Sequence, residues 1–316
     1  MYQLQKFNEV VFSVGNLAAT ERIYVELLGW KVLWRGKGHA SQCQFWGLPQ
    51  AQTDEVLLGF DDLDFGQIRL VKFHNVAQKF IRSGGQTWDS GGIMDIDLRV
   101  GDIQHTYDLL RENGFHGHSD PILQQMGPFT INEVVMKGHD EIAFALVNRI
   151  EPPLPNPSGR KGCISNVYLS ALVVKDIAVS RDFFVNKLGF LLLNQVPFPL
   201  QNGPNMFGFP ESMAGQVTAK LEIIAPTESR DSMFDLIEFE GVSGRDFSEF
   251  ACPPNRGILL YRLPVSNIDA YADFITQNGV EFKVPPAVVD YQPIGQVKMF
   301  AVQSPDGVWL EFWERV

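Results

Sequence analysis

Histidine is missing from the whole second half of this chain: all six lie at or before His139, and residues 151–316 contain none. Cysteine is scarce too. Cys43, Cys163 and Cys252 are odd in number and scattered, with no Cys-x-x-Cys pair. This excludes a disulfide framework or a zinc ribbon and fits a reduced, cytoplasmic setting. Basic charge is in short supply, with 26 Lys and Arg against 37 Asp and Glu, a net charge of −11. The deficit is even, since residues 1–150 hold 13 basic and 18 acidic residues. No acidic tail or basic patch stands out, so neither nucleic acid nor an anionic membrane is an expected partner. No apolar run approaches the roughly 20 residues of a membrane span. Met1-Tyr-Gln-Leu-Gln-Lys-Phe7 lacks a basic-then-apolar leader pattern. What remains is an ordinary globular balance, 45% hydrophobic and 20% charged over 316 residues. That length suits about two domains with sizeable cores. The expected partner is a small molecule, and the expected state a monomer or homodimer.

One local pattern occurs four times. Val174-Lys-Asp-Ile177 follows an apolar strand and leads through a helical stretch to Leu188-Gly-Phe190. The others are Val14-Gly-Asn-Leu17 to Leu28-Gly-Trp30, Val100-Gly-Asp-Ile103 to Asn113-Gly-Phe115, and Val265-Ser-Asn-Ile268 to Asn278-Gly-Val280. In each, Asn or Asp can accept the orphan N–H groups of a first helical turn, and glycine can take the left-handed conformation that ends the helix. From first copy to last, cap and glycine are 13, 12, 13 and 12 residues apart. Such agreement argues an internal repeat. Copies one and three share Leu-Gly-aromatic and copies two and four share Asn-Gly, so the chain reads as two similar halves of two modules each.

The spacing predicts an N-terminal domain over 1–150, a proline-rich linker over 151–163 and a C-terminal domain over 164–316. In module one, 43–46 reads as a third strand and 67–73 as the closing strand. Glycine-rich 82–92 reads as a flexible pocket-edge loop, because it has neither the lysine of a P-loop nor a preceding strand with G-x-G-x-x-G. Residues 227–255 read as an insertion between modules three and four. The last hairpin is the clearest, with Ser304-Pro-Asp-Gly307 as its turn.

Strand, V-x-D-apolar, helix, Leu-Gly-Phe, then a closing Ser-Pro-Asp-Gly hairpin with Leu310-Glu-Phe312, resembles the vicinal oxygen chelate superfamily. That group includes glyoxalase I, bleomycin-resistance proteins, extradiol dioxygenases and methylmalonyl-CoA epimerase. The resemblance implies an α+β fold of four βαβββ modules, paired into two domains that each cup a pocket between curved sheets. Family members that use metal place a His on a module's first strand and a Glu on its closing strand. Carried over, those positions hold Glu9, Asp95, Leu169 and Leu260 on first strands, and Arg69, Ala145, Glu222 and Glu311 on closing strands. None is His. No resident transition metal is therefore expected, although a weak divalent cation at Glu222 and Glu311 stays open.

In the C-terminal half, strand alternation places Lys220, Arg262, Trp309 and Trp313 on the faces of Glu222 and Glu311. One reading makes Glu311 and Glu222 catalytic acid and base and Arg262 an anion anchor; the other pairs the acids with Arg262 or Lys220. In the N-terminal half, Glu9, Arg69 and Asp95 form either an anion-binding pocket or a buried ion-pair cluster. Phe198, Phe207 and Phe209 are candidate apolar lining alongside the tryptophans. The favoured function is an enzyme of lyase or isomerase type acting on a partly aromatic or carboxylated metabolite. The alternatives are a metal-free binding protein of the bleomycin-resistance kind, or a dioxygenase-like scaffold without its metal site.

Overall fold

Each cap residue does what its chemistry suggests. In the computed structural model, which describes residues 1–154, 164–200 and 203–316 without the side chains of 197–199, Asn16 accepts from the Ala19 amide. Asp102 accepts from His105, Asp176 from Ala178 and Val179, and Asn267 from Ala270. Each helix ends at a left-handed glycine: Gly29, Gly114, Gly189 and Gly279 have φ of 74°, 88°, 77° and 78°.

The alternation of 13 and 12 residues has a structural cause. In copies one and three the last turns, Ile23–Leu27 and Asp182–Lys187, widen to π-type bonding. Leu28 N–H reaches back to the Ile23 carbonyl (3.1 Å) and Leu188 N–H to Phe183 (3.0 Å). A wide turn absorbs one extra residue without losing the helix. Copies two and four, Ile103–Glu112 and Ile268–Gln277, are α-helical throughout.

Each helix leans on its own module's sheet. Phe183, Phe184 and Leu188 are buried, and Phe184 meets Phe190 (5.7 Å) and Phe234 (6.3 Å). Burying one such ring stabilises the fold by about 1.5–3 kcal/mol. Phe7, Phe234 and Tyr261 then join modules one, three and four, with ring centroids 4.8–5.6 Å apart.

The modules pair two by two, as expected, but with different partners. Modules one and four form one nine-stranded sheet, because Glu9–Ser13 runs antiparallel to Gly257–Ser266. Modules two and three meet where Asp97 N–H bonds the Leu169 carbonyl (2.9 Å) and Met94 N–H bonds Ala171 (2.9 Å). The sequence halves 1–150 and 164–316 are thus not the units of sheet pairing. Charge supplies a reason. The observed register sets Glu9 opposite Arg262, whereas pairing within the first half would bring Glu9 beside Asp95 and Asp97. Like charges on facing strands destabilise a sheet.

Three local expectations change. Residues 43–46 are not a strand: Ala40–Phe45 is a helix, capped by the His39 ring accepting from Ser41 N–H. A short apolar run does not distinguish the two by itself. Residues 227–255 contain module three's closing strand, Phe234–Glu240, which pairs parallel with Ala171–Val173. The glycine-rich loop is tied around buried Arg82, whose guanidinium donates to the carbonyls of Gly91 (2.8 Å), Gln86 (2.9 Å) and Asp89 (2.8 Å). Most of the expected linker, together with Cys163, lies outside the described residues.

Asp176→Ala is expected to cost about 0.5–2 kcal/mol through the lost cap. Gly189→Val is expected to cost ~1 kcal/mol or more, because a branched residue is strained at this positive φ. Denaturant melts that superimpose on wild type for both variants would remove the capping argument.

Candidate functional site

The centre of the first cup, between modules one and four, is filled by its own side chains, and a cavity of about 540 Å³ remains beside them, lined by Asn8, Glu9, Leu57 and Trp313 among others. Five of the filling side chains form a chain of alternating charge. Arg69 donates from Nη1 to Glu55 (2.9 Å), and from Nε (2.7 Å) and Nη2 (2.8 Å) to the two Glu9 oxygens. Arg262 donates from Nη1 to Glu9 (3.2 Å) and from Nε to Glu311 (2.8 Å). The ends are satisfied as well: Thr53 Oγ1 donates to Glu55 (2.8 Å) and Trp46 Nε1 to Glu311 (2.6 Å). The Tyr291 ring lies 5.0 Å from the Arg69 guanidinium and 4.5 Å from that of Arg262. Trp313 Nε1 donates to Asn8 (3.1 Å), and Trp309 is buried in the surrounding apolar cluster. Burial alone would push the Glu9 carboxyl up, but the two guanidiniums outweigh it and hold the group below the usual range.

For Glu9 and Arg69 this is the buried ion-pair arrangement, and Arg262 and Glu311 belong to it. Asp95 does not, because it lies in the other cup. The donor set does not fit a metal. Two guanidiniums fill the space among the carboxylates, and arginine has no lone pair to offer. Glu222 and Glu311 also cannot share a cation, since they lie in different sheets. Glu222 accepts from Arg181 (2.6 Å) and Gln195 (2.8 Å) on its sheet's outer face. Lys220, on that same face, pairs with Glu238 (3.3 Å) and Glu240 (2.6 Å). Alternation puts Ala219, Leu221 and Ile223 inward instead.

The second cup, between modules two and three, is open and encloses about 520 Å³. Asp97, Glu133 and Asp235 line it, with walls that include Phe129, Tyr168, Met206, Phe207, Met233 and Ile237. Arg99, Arg149 and Arg230 line it too. The Phe198 side chain lies outside the described residues. Asp97 and Glu133 are each 6% exposed, and Asp95 lies behind them at 1%. Asp95 accepts from Ala171 N–H (3.1 Å), and Glu133 from Gln124 (2.9 Å). Among the described residues, Oδ1 of Asp97 and Oδ1 of Asp235 have no partner. Burial pushes Asp95 up to about 7 and Glu133 up to about 8. Burial, reinforced by neighbouring carboxylates, pushes Asp97 and Asp235 well above the usual range. Among the described residues no three His, Cys, Asp or Glu side chains converge in a way that could hold a metal ion.

Sequence reasoning missed Asp235, Glu133, Arg149 and Arg230. A signal for Asp235 was present: Phe234-Asp-Leu236 repeats the apolar–acid–apolar pattern of Leu310-Glu-Phe312. It was hidden inside the supposed insertion.

The architecture defines a class: paired βαβββ modules that wrap curved sheets around cups. The chain belongs to the glyoxalase/bleomycin resistance protein/dioxygenase superfamily, whose family model matches residues 6–146 and 167–312. Among solved structures it resembles glyoxalase I from Zea mays, at 16% identity and TM-score 0.61, with 99% of this chain and 92% of that chain covered. It also resembles a putative dioxygenase from Bacillus subtilis, at 10% identity and TM-score 0.61, with 98% and 85% covered. At these identities the likeness is one of fold. No curated protein matches the chain in sequence.

Two measurements follow from these cups. Arg262→Ala leaves Glu311 and Glu9 buried without a shared cation. Breaking such a pair costs about 3–5 kcal/mol, so a drop of that size is expected in denaturant melts; a loss below ~1 kcal/mol would contradict the ion-pair account. The second cup predicts a pH effect of opposite sign to ordinary acid denaturation. Its carboxyls titrate near pH 4 when unfolded, but Asp95 and Glu133 titrate near 7 and 8 when folded. Between those limits the native state holds more protons, so stability falls as pH rises through about 8. The Arg82 guanidinium opposes the rise at Asp95 and so reduces this slope without reversing it. Glu133→Gln should flatten the fall in melting temperature between pH 5 and 9, and an unchanged slope would count against the raised carboxyl.

Proposed function

We propose that the chain is a small-molecule enzyme of lyase or isomerase type, and that it moves protons in the cup shared by modules two and three. The observation that carries this reading is the cavity of about 520 Å³ with Asp97, Glu133 and Asp235 in its wall and no cation paired with any of them among the described residues. A general base works best with a pKa near the operating pH, and Glu133 at about 8 meets that condition. A carboxyl kept neutral by apolar surroundings can donate a hydrogen bond to a developing oxyanion. Asp97, held protonated against Asp95, takes that role.

The step is balanced. Glu133 accepts the proton from a carbon beside the substrate carbonyl. The C–H electron pair moves into the new C=C bond, and the carbonyl oxygen gathers charge under the Asp97 O–H. In a β,γ-unsaturated carbonyl, the Glu133 proton returns to the γ-carbon as the C=O re-forms, which gives an isomer; where the β-carbon bears a leaving group, the C=O re-forms, that group departs with its electron pair and takes up the Glu133 proton, which gives a lyase product. Glu311 and Glu222 do not take these roles, because each pairs with an arginine.

Acetophenone in D₂O offers a neutral, enolisable probe. Deuterium should enter its methyl group faster with protein than with buffer, and Glu133→Gln should lower that rate about 10²–10⁴-fold. Binding without exchange at any pH from 6 to 9 would leave a metal-free ligand-binding protein in its place.

A further inference from the structure

The open cup keeps opposite charges apart. Asp97, Glu133 and Asp235 share it with Arg99, Arg149 and Arg230, yet none of these acids forms an ion pair with any of these arginines among the described residues. Arg99 is engaged elsewhere, with Asp231 (3.3 Å) and over the Tyr168 ring (3.9 Å). Arg149 lies 5.1 Å from the Phe129 ring, and its buried Nε has no partner. Arg230 is exposed at the edge, and its guanidinium has no partner among the described residues.

Strand register orders these groups by depth. Asp97 pairs with Ala145; Arg99 and Glu133 both stand at the level of Val147; Arg149 stands one pleat further out, opposite Ile131. Four residues of extended strand separate the levels of Asp97 and Arg149, or about 13 Å at roughly 3.3 Å per residue. The acids therefore occupy the inner end, and the guanidiniums of Arg149 and Arg230, unpaired among the described residues, the outer end, with Phe129, Met206 and Phe207 in the apolar walls. A buried guanidinium nitrogen without a partner is a standing cost that an anion removes through charge-assisted hydrogen bonds.

We infer that the substrate is an elongated amphipathic anion, with a carboxylate or phosphate head held by Arg149 and Arg230 and a carbonyl at the other end against Asp97. The carbonyl end rests on the proton-transfer reading above; the anionic head stands on the arginines alone. Carboxylate and phosphate share this recognition chemistry, since guanidinium binds either in forked geometry.

Three probes with one body separate the possibilities: 4-acetylphenylacetate, its phosphonate counterpart and its neutral amide, titrated calorimetrically. Either anion should bind at least tenfold more tightly than the amide, and the better of the two identifies the head. The Arg149→Ala, Arg230→Ala double variant should erase that preference, whereas Lys at both positions should keep part of it and shows that the fold survives. Glu133→Gln should leave affinity intact while deuterium exchange into the acetyl methyl is lost. An amide that binds as well as the anions, a preference that survives in the double alanine variant, or no binding by any probe at millimolar concentration would overturn the inference. Preference without exchange in the wild type would support the anionic head and sink the proton-transfer function. Exchange without preference would do the reverse.

Discussion

Glu9 facing Arg262 across two antiparallel strands is the contact on which the rest depends. A buried charge must be paired, because the interior solvates it poorly. Glu9 receives two guanidiniums, and each of these reaches a further carboxylate, so five side chains satisfy one another through the centre of a nine-stranded sheet. Removing the desolvation cost in this way selects the register. A slip of one residue would turn Glu9 and Arg262 to opposite faces. The same chain selects the partner module, since only module four offers a cation at the matching position.

That choice divides the labour between the cups. With modules one and four locked by ion pairs and filled by Trp46, Tyr291 and Trp313, modules two and three are left to each other. Their first strands bring Asp95 and Asp97 beside Leu169 and Ala171, which carry no charge. Among the described residues no cation forms an ion pair with Asp97, Glu133 or Asp235, and burial drives their proton affinity up. One cup thus engages its charges in ion pairs, and the other holds carboxyls whose proton affinity burial raises. Both occupy a fold in which the positions that family resemblance assigns to metal ligands hold arginine, leucine, alanine or acid.

The repeat was legible because it is built from local physics. A cap side chain, a 3.6-residue period and a left-handed glycine act within about fifteen residues, so Asp176 and Gly189 announce their roles without tertiary help. The closing hairpin at Ser304-Pro-Asp-Gly307 was legible for the same reason. Even the one-residue difference between copies was visible, although its accommodation as a wide turn was not. The helix Ala40–Phe45 was misread because a few apolar residues flanked by glycine suit a strand equally well, and burial decides between them.

The candidate site was legible in composition but not in place. Glu9, Arg69, Arg262 and Glu311 were marked as inward-facing, and all four are buried in one cluster. Glu222 and Lys220 were marked on the wrong face, because the closing strand of module three lay hidden in a segment read as an insertion. By itself, then, the sequence determined four capped modules, their α+β character and the unsuitability of their ligand positions for a histidine-bound metal, all of which depend on near neighbours. Tertiary structure alone decided which modules pair, which cup fills its centre with ion pairs and which leaves its acids without them. Those outcomes turn on charges brought together from residues more than two hundred positions apart, as Glu9 and Arg262 are, and no local preference records which distant partner a buried charge will meet.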